Sequence, residues 1–418
     1  MVTENPFTSE TFVTSWSGHF IQNEKTHRFG FIDGVSFFKS HKKLAIYTNV
    51  GKNLTKGLSY RLNPFEDPRH YGKKTLLIYD IPEYFNVTIE NLPTSLRLIK
   101  IRQYKGFIAK LDAYKNFDDY FQKTFSKKSR YKFKSYQRNL ENCFDVKYVN
   151  YFGQISKEEY DVVFNAFHAM LKRRFDEKSE ANNNLEDEEW NFYYDTAYKL
   201  ILEKKASLYV IYDGKKPIAI SLNYLSKDIL FFAMTSFDVD YFKFNVGKVH
   251  LMELFKWCFE NNMKTFDFSK GYYDYKERWG NEQYHFEYHI LYDPKSITSV
   301  IAAKAMAMVF KFKQHLRDRE LTQKINRLKR FLKPEKEAVK EKVVKEIELE
   351  TLDGLEKNME EIKLDDSLSY LRRHVYDFLY LSNLHIKNLK LYKLKNDVKN
   401  TFILKGTEQF KVLEVTES

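Results

Sequence analysis

Cysteine is nearly absent: Cys143 and Cys258 are the two in 418 residues, and they lie far apart. That excludes a disulfide framework and any cysteine-based metal spacing, and it fits a reducing compartment. Proline (8) and glycine (14) are scarce too, which excludes collagen-like and low-complexity classes. The histidines are scattered without ligand spacing, so no metal is expected. His168, among apolar neighbours in a helical pattern, reads as core rather than catalyst. No apolar run reaches the ~18 residues a membrane-spanning helix needs. The opening stretch, MVTENPFTSETF, has neither a basic start nor an apolar run, so no secretion signal is expected. The Asn-x-Thr triplets at Asn53 and Asn86 are then chance. Gly-x-Ser-x-Gly, Walker and dinucleotide fingerprints are missing.

What is present is apolar and aromatic. Hydrophobic residues make up 43% and aromatics 17%, enough for a well-packed body of two domains plus extras. The net charge of +12 is unevenly spread. Residues 123–138 (KTFSKKSRYKFKSYQR) carry seven Lys/Arg and no acid, and residues 301–333 carry ten against Asp318 and Glu320. The remainder sums to −3. Two basic elements on a near-neutral body point to phosphate: of a cofactor, a lipid surface or a nucleic acid.

The order of elements is informative. Residues 1–113 read as a β-rich domain, with RFGFIDGVSFF, KLAIYTNV, TLLIYDI and RLIKIRQY as strands. From 114 the period becomes helical: a basic helix, then 157–175 with Tyr160, Val163, Phe164, Phe167, Leu171 and Phe175 in register, then 188–204. A meander follows (SLYVIY, PIAISLNYL, DILFFAMTSF), then the helix GKVHLMELFKWCFEN, a strand, an irregular segment and the strand QYHFEYHILY. Residues 114–295 thus form one compact α/β domain. Residues 296–333 read as a basic amphipathic helix with Leu321, Ile325, Leu328 and Leu332 in one stripe, flanked by Lys324, Arg327, Lys329 and Arg330. Such a stripe suits the surface of an anionic membrane. Residues 334–418 read as a charged linker or exposed helix (PEKEAVKEKVVKEIELE), one clear helix (SLSYLRRHVYDFLYL) and short apolar runs of uncertain type.

The irregular segment, FDFSKGYYDYKERWG (266–280), follows a strand carboxylate with a phenol, an ammonium, a guanidinium and an indole. With Phe266, Asp267, Phe268, Gly271, Tyr275, Lys276 and Trp279, it resembles the end motif of the CelD-like branch of the GNAT acyltransferase superfamily, a bacterial relative of the Fem aminoacyl and peptidyl transferases. FSKKSRYKFKSYQRNLE is similar to that family's basic opening helix, so the resemblance spans 107–280. It implies an α+β fold: a GNAT-like mixed sheet flanked by helices, in tandem, with a degenerate N-terminal half, a C-terminal GNAT domain and a helical C-terminal extension. Two departures stand out. Ser269 replaces the usual small residue after Phe268. Of the superfamily's phosphate loop only Asn245 to Lys248 remain, with Phe244 at the Gln/Arg place, Gly247 as first glycine and Val249 at the last position.

The resemblance implies an N-acyltransferase using acyl-CoA (acetyl-CoA) or an acyl carrier protein thioester, with an amine of an envelope lipid, sugar or peptide precursor as acceptor. The alternatives are a Fem-like transferase fed by aminoacyl-tRNA, or a non-catalytic GNAT-like module that binds a membrane or partner. The expected place is the cytoplasm, with peripheral contact at the inner membrane face. Acyl transfer needs a base, oxyanion donors and a protonated leaving group. Asp267 would be the base or orient the acceptor, Tyr275 would protonate the leaving group, and Lys276 would polarise the carbonyl or meet phosphate. Asn245, Gly247 and Lys248, at a helix N-terminus, would take donor phosphate with Ser129, Arg130, Lys134 and Arg138. Arg174, Gly271, Arg278 and Trp279 would line the substrate side. Each has a blander reading: Asp267 as a structural acid, Trp279 and Tyr275 as packing, Arg278 paired with Glu277 or Glu282, and the basic helix as a solvated face.

Overall fold

The computed structural model describes residues 4–22, 24–63, 72–85, 87, 92, 95–180, 182–319, 342–395, 397 and 399–417. Its frame is one twelve-stranded mixed sheet, in the order β1-β2-β3-β5-β12-β6-β11-β10-β9-β8-β7, with β4 on the side of β2. The strands of the first half are β1 (Thr26–Phe29), β2 (Ile32–Lys39), β3 (Ile46–Asn49), β4 (Arg61–Leu62), β5 (Thr75–Pro82) and β6 (Arg97–Lys110). Those of the second are β7 (Val146–Tyr151), β8 (Ala206–Asp213), β9 (Lys216–Ser226), β10 (Ile229–Phe237), β11 (Thr265–Lys270) and β12 (Glu282–Tyr292). The sheet does not break at residue 113. Strand β6 runs between β12, which it pairs along most of its length, and β11.

Helices cover both faces. α1 (Glu10–Phe20) begins where Ser9 accepts from the Phe12 N–H, and it packs beside α5 (Asp187–Leu202). With α4 (Lys157–Glu177) these two close the largest apolar core, around Phe12, Trp16, Phe164, Phe167, Phe192 and Phe231. α2 (Phe117–Thr124), α3 (Lys127–Cys143) and α6 (Val246–Glu260) cover the other face, over Phe121, Phe255, Phe266 and Phe268. α8 (Ile297–Asp318) lies on β5, β6 and β12 through Ala303, Ala307 and Phe310. Between β11 and β12 sits the six-residue α7 (Asp274–Trp279).

The C-terminal extension is not helical alone. α9 (Arg372–Ser382) is joined by a five-stranded antiparallel sheet of β13 (Lys342–Ile347), β14 (Met359–Ile362), β15 (Lys390–Leu394), β16 (Thr401–Lys405) and β17 (Phe410–Glu417). β13 falls in the stretch read from sequence as a linker or exposed helix. It is an edge strand carrying charge on its open side, which hides its period. α9 packs Val375, Tyr376 and Leu379 against Phe144, Tyr241 and Phe244. The stripe Leu321–Leu332 and its flanking cations lie outside the described residues.

Candidate active site

The site forms where three of the four strands β5, β12, β6 and β11 each carry one extra residue. Between Ile78 and Ile81, β5 has three steps against two on β12; β6 bulges between Arg102 and Lys105, and β11 between Asp267 and Lys270. Two bulge residues, Asp80 (φ 67) and Ser269 (φ 58), take left-handed backbone. Bulges of this kind re-aim side chains and are common beside active sites. Next to them β10 and β11 pair in parallel over only Ile229–Phe231 and Thr265–Asp267, and then separate.

Here the chain buries two carboxylates and collects three lysines. Asp267 is fully buried and accepts from the Tyr84 and Tyr284 hydroxyls, each at 2.8 Å, and from the Ser269 N–H at 2.6 Å. Tyr284 can lie across β6 because Gly106 stands beneath it; a Cβ there would be 2.4 Å from the ring. Burial pushes the Asp267 carboxyl up to about 6, against the three donors and the charge of Lys276. Asp80 is equally buried. It pairs with the Lys270 ammonium, accepts from Thr55 Oγ1 at 2.9 Å, and shares two 3.2 Å hydrogen bonds with the Gln103 amide. Lys276, 5% exposed, donates to the Lys270 carbonyl at 2.7 Å. Burial pushes its ammonium down to about 7, opposed by Asp267 and reinforced by Lys56. Lys56 is pushed down to about 8 by burial and by Lys270, while Asp80, Glu189 and Asp267 pull it back. Perturbed carboxylate and ammonium groups gathered in one place are the mark of a functional site.

Several sequence expectations change. Asp267 has no face left for an acceptor amine, so it anchors two tyrosines and biases Lys276 instead of acting as the base. Trp279 is core: its ring lies 4.8 Å from both Phe125 and Phe255, and its carbonyl accepts from Tyr120. Gly271 (φ 95) serves the turn that ends β11, its N–H donating to the Lys105 carbonyl; it opens no approach for a ligand. Arg130 is spent on the carbonyls of Gln122 and Phe125 at the end of α2. Lys134 and Arg138 are exposed, roughly 200° and 240° around α3 from Lys132, and Lys132 is the α3 cation that faces Lys248. Ser129 is held at the helix start, its N–H on Ser126 Oγ.

Other expected residues do converge. At the start of α6, Asn245 (φ 50) takes the Lys248 ammonium on its Oδ1 at 2.7 Å. Burial, Arg278 and Lys132 together push Lys248 down. Arg278 forms no ion pair among the described residues: Glu277 takes the Tyr272 hydroxyl and Glu282 takes Lys110. Gly247 is glycine for packing, because a Cβ there would stand 3.0 Å from Phe237. On that same ring, at 4.7 Å, rests the guanidinium of Arg174, with no ion pair among the described residues. Burial pushes Arg174 down while Tyr275 and Tyr273 hold it up. Tyr275 is pushed well up by burial, so it stays a phenol. Arg174, Phe237, Tyr273 and Tyr275 thus gather where β10 and β11 part.

Sequence reasoning missed Lys56, Asp80, Tyr84, Gln103, Lys270 and Tyr284. Asp80, inside the apolar run TLLIYDIP, was a visible signal; Lys56 and Tyr84 gave none. His168 packs on Trp190, ring centroids 4.7 Å apart and tilted, away from the cluster. Among the described residues no group of three or more His, Cys, Asp or Glu could hold a metal.

Residues 127–277 match the family described as "Acetyltransferase (GNAT) domain". The fold is GNAT-like, a mixed sheet with flanking helices. No curated protein matches the chain. Among solved structures it is similar to a conserved protein of unknown function from Bacteroides thetaiotaomicron VPI-5482 (12% identity, 69% of this chain and 92% of that one, TM-score 0.43). It is also similar to FemX (11%, 68% and 92%, TM-score 0.46) and to L-PGS from Bacillus licheniformis (12%, 73% and 98%, TM-score 0.43).

Proposed function

We propose that the protein is an N-acyltransferase of the CelD-like GNAT branch. It moves an acyl group from a thioester donor, acyl-CoA or an acyl carrier protein, to an amine of a lipid, sugar or peptide precursor. The observation that carries this is the buried pair of Asp267, raised to about 6, and Lys276, lowered to about 7. It sits beside the opening between two parallel strands in a matched GNAT domain. A lysine poised near neutrality is suited to accept and return a proton at working pH.

On this reading Lys276, as free amine, takes the proton of the acceptor ammonium. The amine nitrogen attacks the thioester carbonyl, the C–S bond breaks, and the leaving thiolate takes a proton from the Tyr275 phenol; the second proton of the attacking nitrogen passes to the Tyr275 phenolate, and Lys276 returns its proton to solvent. Arg174 stands near enough to Tyr275 to favour negative charge forming there. Donor phosphate would meet the unpaired N–H groups at the start of α6, with Lys248, Lys132 and Arg278 around it.

A second reading, aminoacyl-tRNA as donor, draws on α3, where Tyr131 (66% exposed) stands among Lys127, Lys128, Lys132 and Lys134. The test is thiol release from a panel of acyl-CoA and acyl-phosphopantetheine donors with amine acceptors. Turnover that Lys276→Met abolishes supports the thioester reading. No thiol release, with retention of charged tRNA on a filter, overturns it in favour of the second.

A further inference from the structure

α8 has two apolar faces. The inner one, through Ala303, Ala307 and Phe310, is consumed by the sheet. The outer one is bare: Ile297 is 77% exposed, Ile301 62%, Met308 71% and Phe312 61%. At about 100° per residue these four fall within about 40° of one line along the helix, opposite the buried face. Exposed large apolar residues occur singly on most proteins, but a four-membered stripe on one helix marks a surface that meets something apolar.

The charges around the stripe identify the partner. From Ile297 to Arg317 there is no acid; Asp318, at the last position, is bonded by Gln314. Lys304 and Lys311, both exposed, flank the stripe on one side; Lys313, also exposed, lies about 130° around the helix from the stripe's centre, its ammonium over the Phe310 ring at 5.8 Å. Arg317 is occupied on the Tyr104 ring, at 4.1 Å. An apolar ridge bordered by cations, with acids excluded, complements a lipid interface whose headgroups are negative. A protein partner would need its own anionic collar, and a second copy of α8 would bring like charges together. No helix among the described residues is long and apolar enough to cross a membrane, so the contact is one of lying on the surface.

We infer that the outer face of α8 seats the protein on the surface of a bilayer that carries anionic lipid. The seat is independent of the transferase reading, since none of its residues belongs to the buried cluster. It would bring an acceptor amine carried by a membrane lipid to the enzyme.

The experiment is flotation of the full chain with phosphatidylcholine vesicles, with and without phosphatidylglycerol, at low and high salt. Two variants are compared: Met308→Ser with Phe312→Ser, and Lys304→Gln with Lys311→Gln and Lys313→Gln. All five side chains are exposed, so the melting curves should match the parent. Binding is expected only with phosphatidylglycerol. It should be weakened by salt, by on the order of a hundredfold in the lysine variant, and tenfold or more in the apolar one. Absence of flotation overturns the proposal, as does flotation that neither variant weakens. A dimer that Met308→Ser with Phe312→Ser splits would also overturn it, by showing a second copy on the stripe.

Discussion

Replacing Lys276 with Met tests the cluster through stability and rate together. The buried ammonium is pushed from 10.5 down to about 7. Its folded value lies below its unfolded one, so the stability this group contributes is complete above about pH 10.5 and is lost as pH falls through 7. Within that window the slope is about 1.4 kcal/mol per pH unit, or about 2 kcal/mol between pH 9 and pH 7. Met keeps the stem and has no proton to bind, so the variant lacks this slope. The lost hydrogen bond to the Lys270 carbonyl costs about 1 kcal/mol, an offset that leaves the slope alone. Asp267 does not mask the effect. Its folded value is raised to about 6, so its contribution is lost as pH rises through 6, opposite in sign to that of Lys276. Urea unfolding of both proteins at pH 7, 8 and 9 gives the comparison. The wild type should gain about 2 kcal/mol on the variant from pH 7 to 9. Thioester turnover at pH 8 should fall by on the order of 10²-fold or more in the variant. Parallel stability curves would refute the depressed ammonium, and with it the choice of Lys276 as proton carrier.

Asp267→Asn removes the charge that holds Lys276 up, so the alkaline-rising limb of kcat/KM should move below pH 7; an unmoved limb means the two groups do not communicate. Gly106→Ala would set a Cβ 2.4 Å from the Tyr284 ring, costing about 1–3 kcal/mol in urea unfolding, and unchanged stability would show that the ring has room to leave Asp267. Arg278→Gln with Lys248→Gln should raise the donor KM roughly tenfold and flatten its salt dependence, whereas an unaltered KM and salt slope would leave both as surface charge.

Much of the body was readable because each period had one cause. The helices 157–177 and 187–202 bury one face and leave the other wet, so their apolar residues recur at helical spacing. The segment 266–280 was legible as chemistry because Gly271 and Ser269 break a strand beside charged residues. What stayed hidden depends on pairing distant in sequence. α1 sits in a stretch, SETFVTSWSGHF, whose buried Phe12, Val13 and Trp16 are interleaved with Thr, Ser and Gly. β13 borrows its order from β17, some seventy residues on. Lys56, in a loop, and Tyr84, in the 3-10 turn Glu83–Phe85, belong to the first half and acquire meaning only when that half packs on β11.

That packing explains why the cluster needs both halves. Asp80 comes from β5, Gln103 from β6, Lys270 and Asp267 from β11, Tyr284 from β12. Were β5, β6 and β11 regular, strict alternation would send each side chain to the face its register dictates. One extra residue in each resets that alternation in three of four neighbouring strands, with β12 between β5 and β6, at nearly the same level. Asp80 then meets Lys270, and Asp267 meets Tyr84, between opposite halves of the chain, while Tyr284 reaches Asp267 from β12 of the same half. Burying two carboxylates among three lysines is costly, and the displaced values of Asp267, Lys276 and Lys56 record that cost. A fold under selection for stability alone would replace such a cluster with apolar residues. Its place in the seam, beside the parting of β10 and β11, fits the proposed reading, in which proton transfer is what keeps it there.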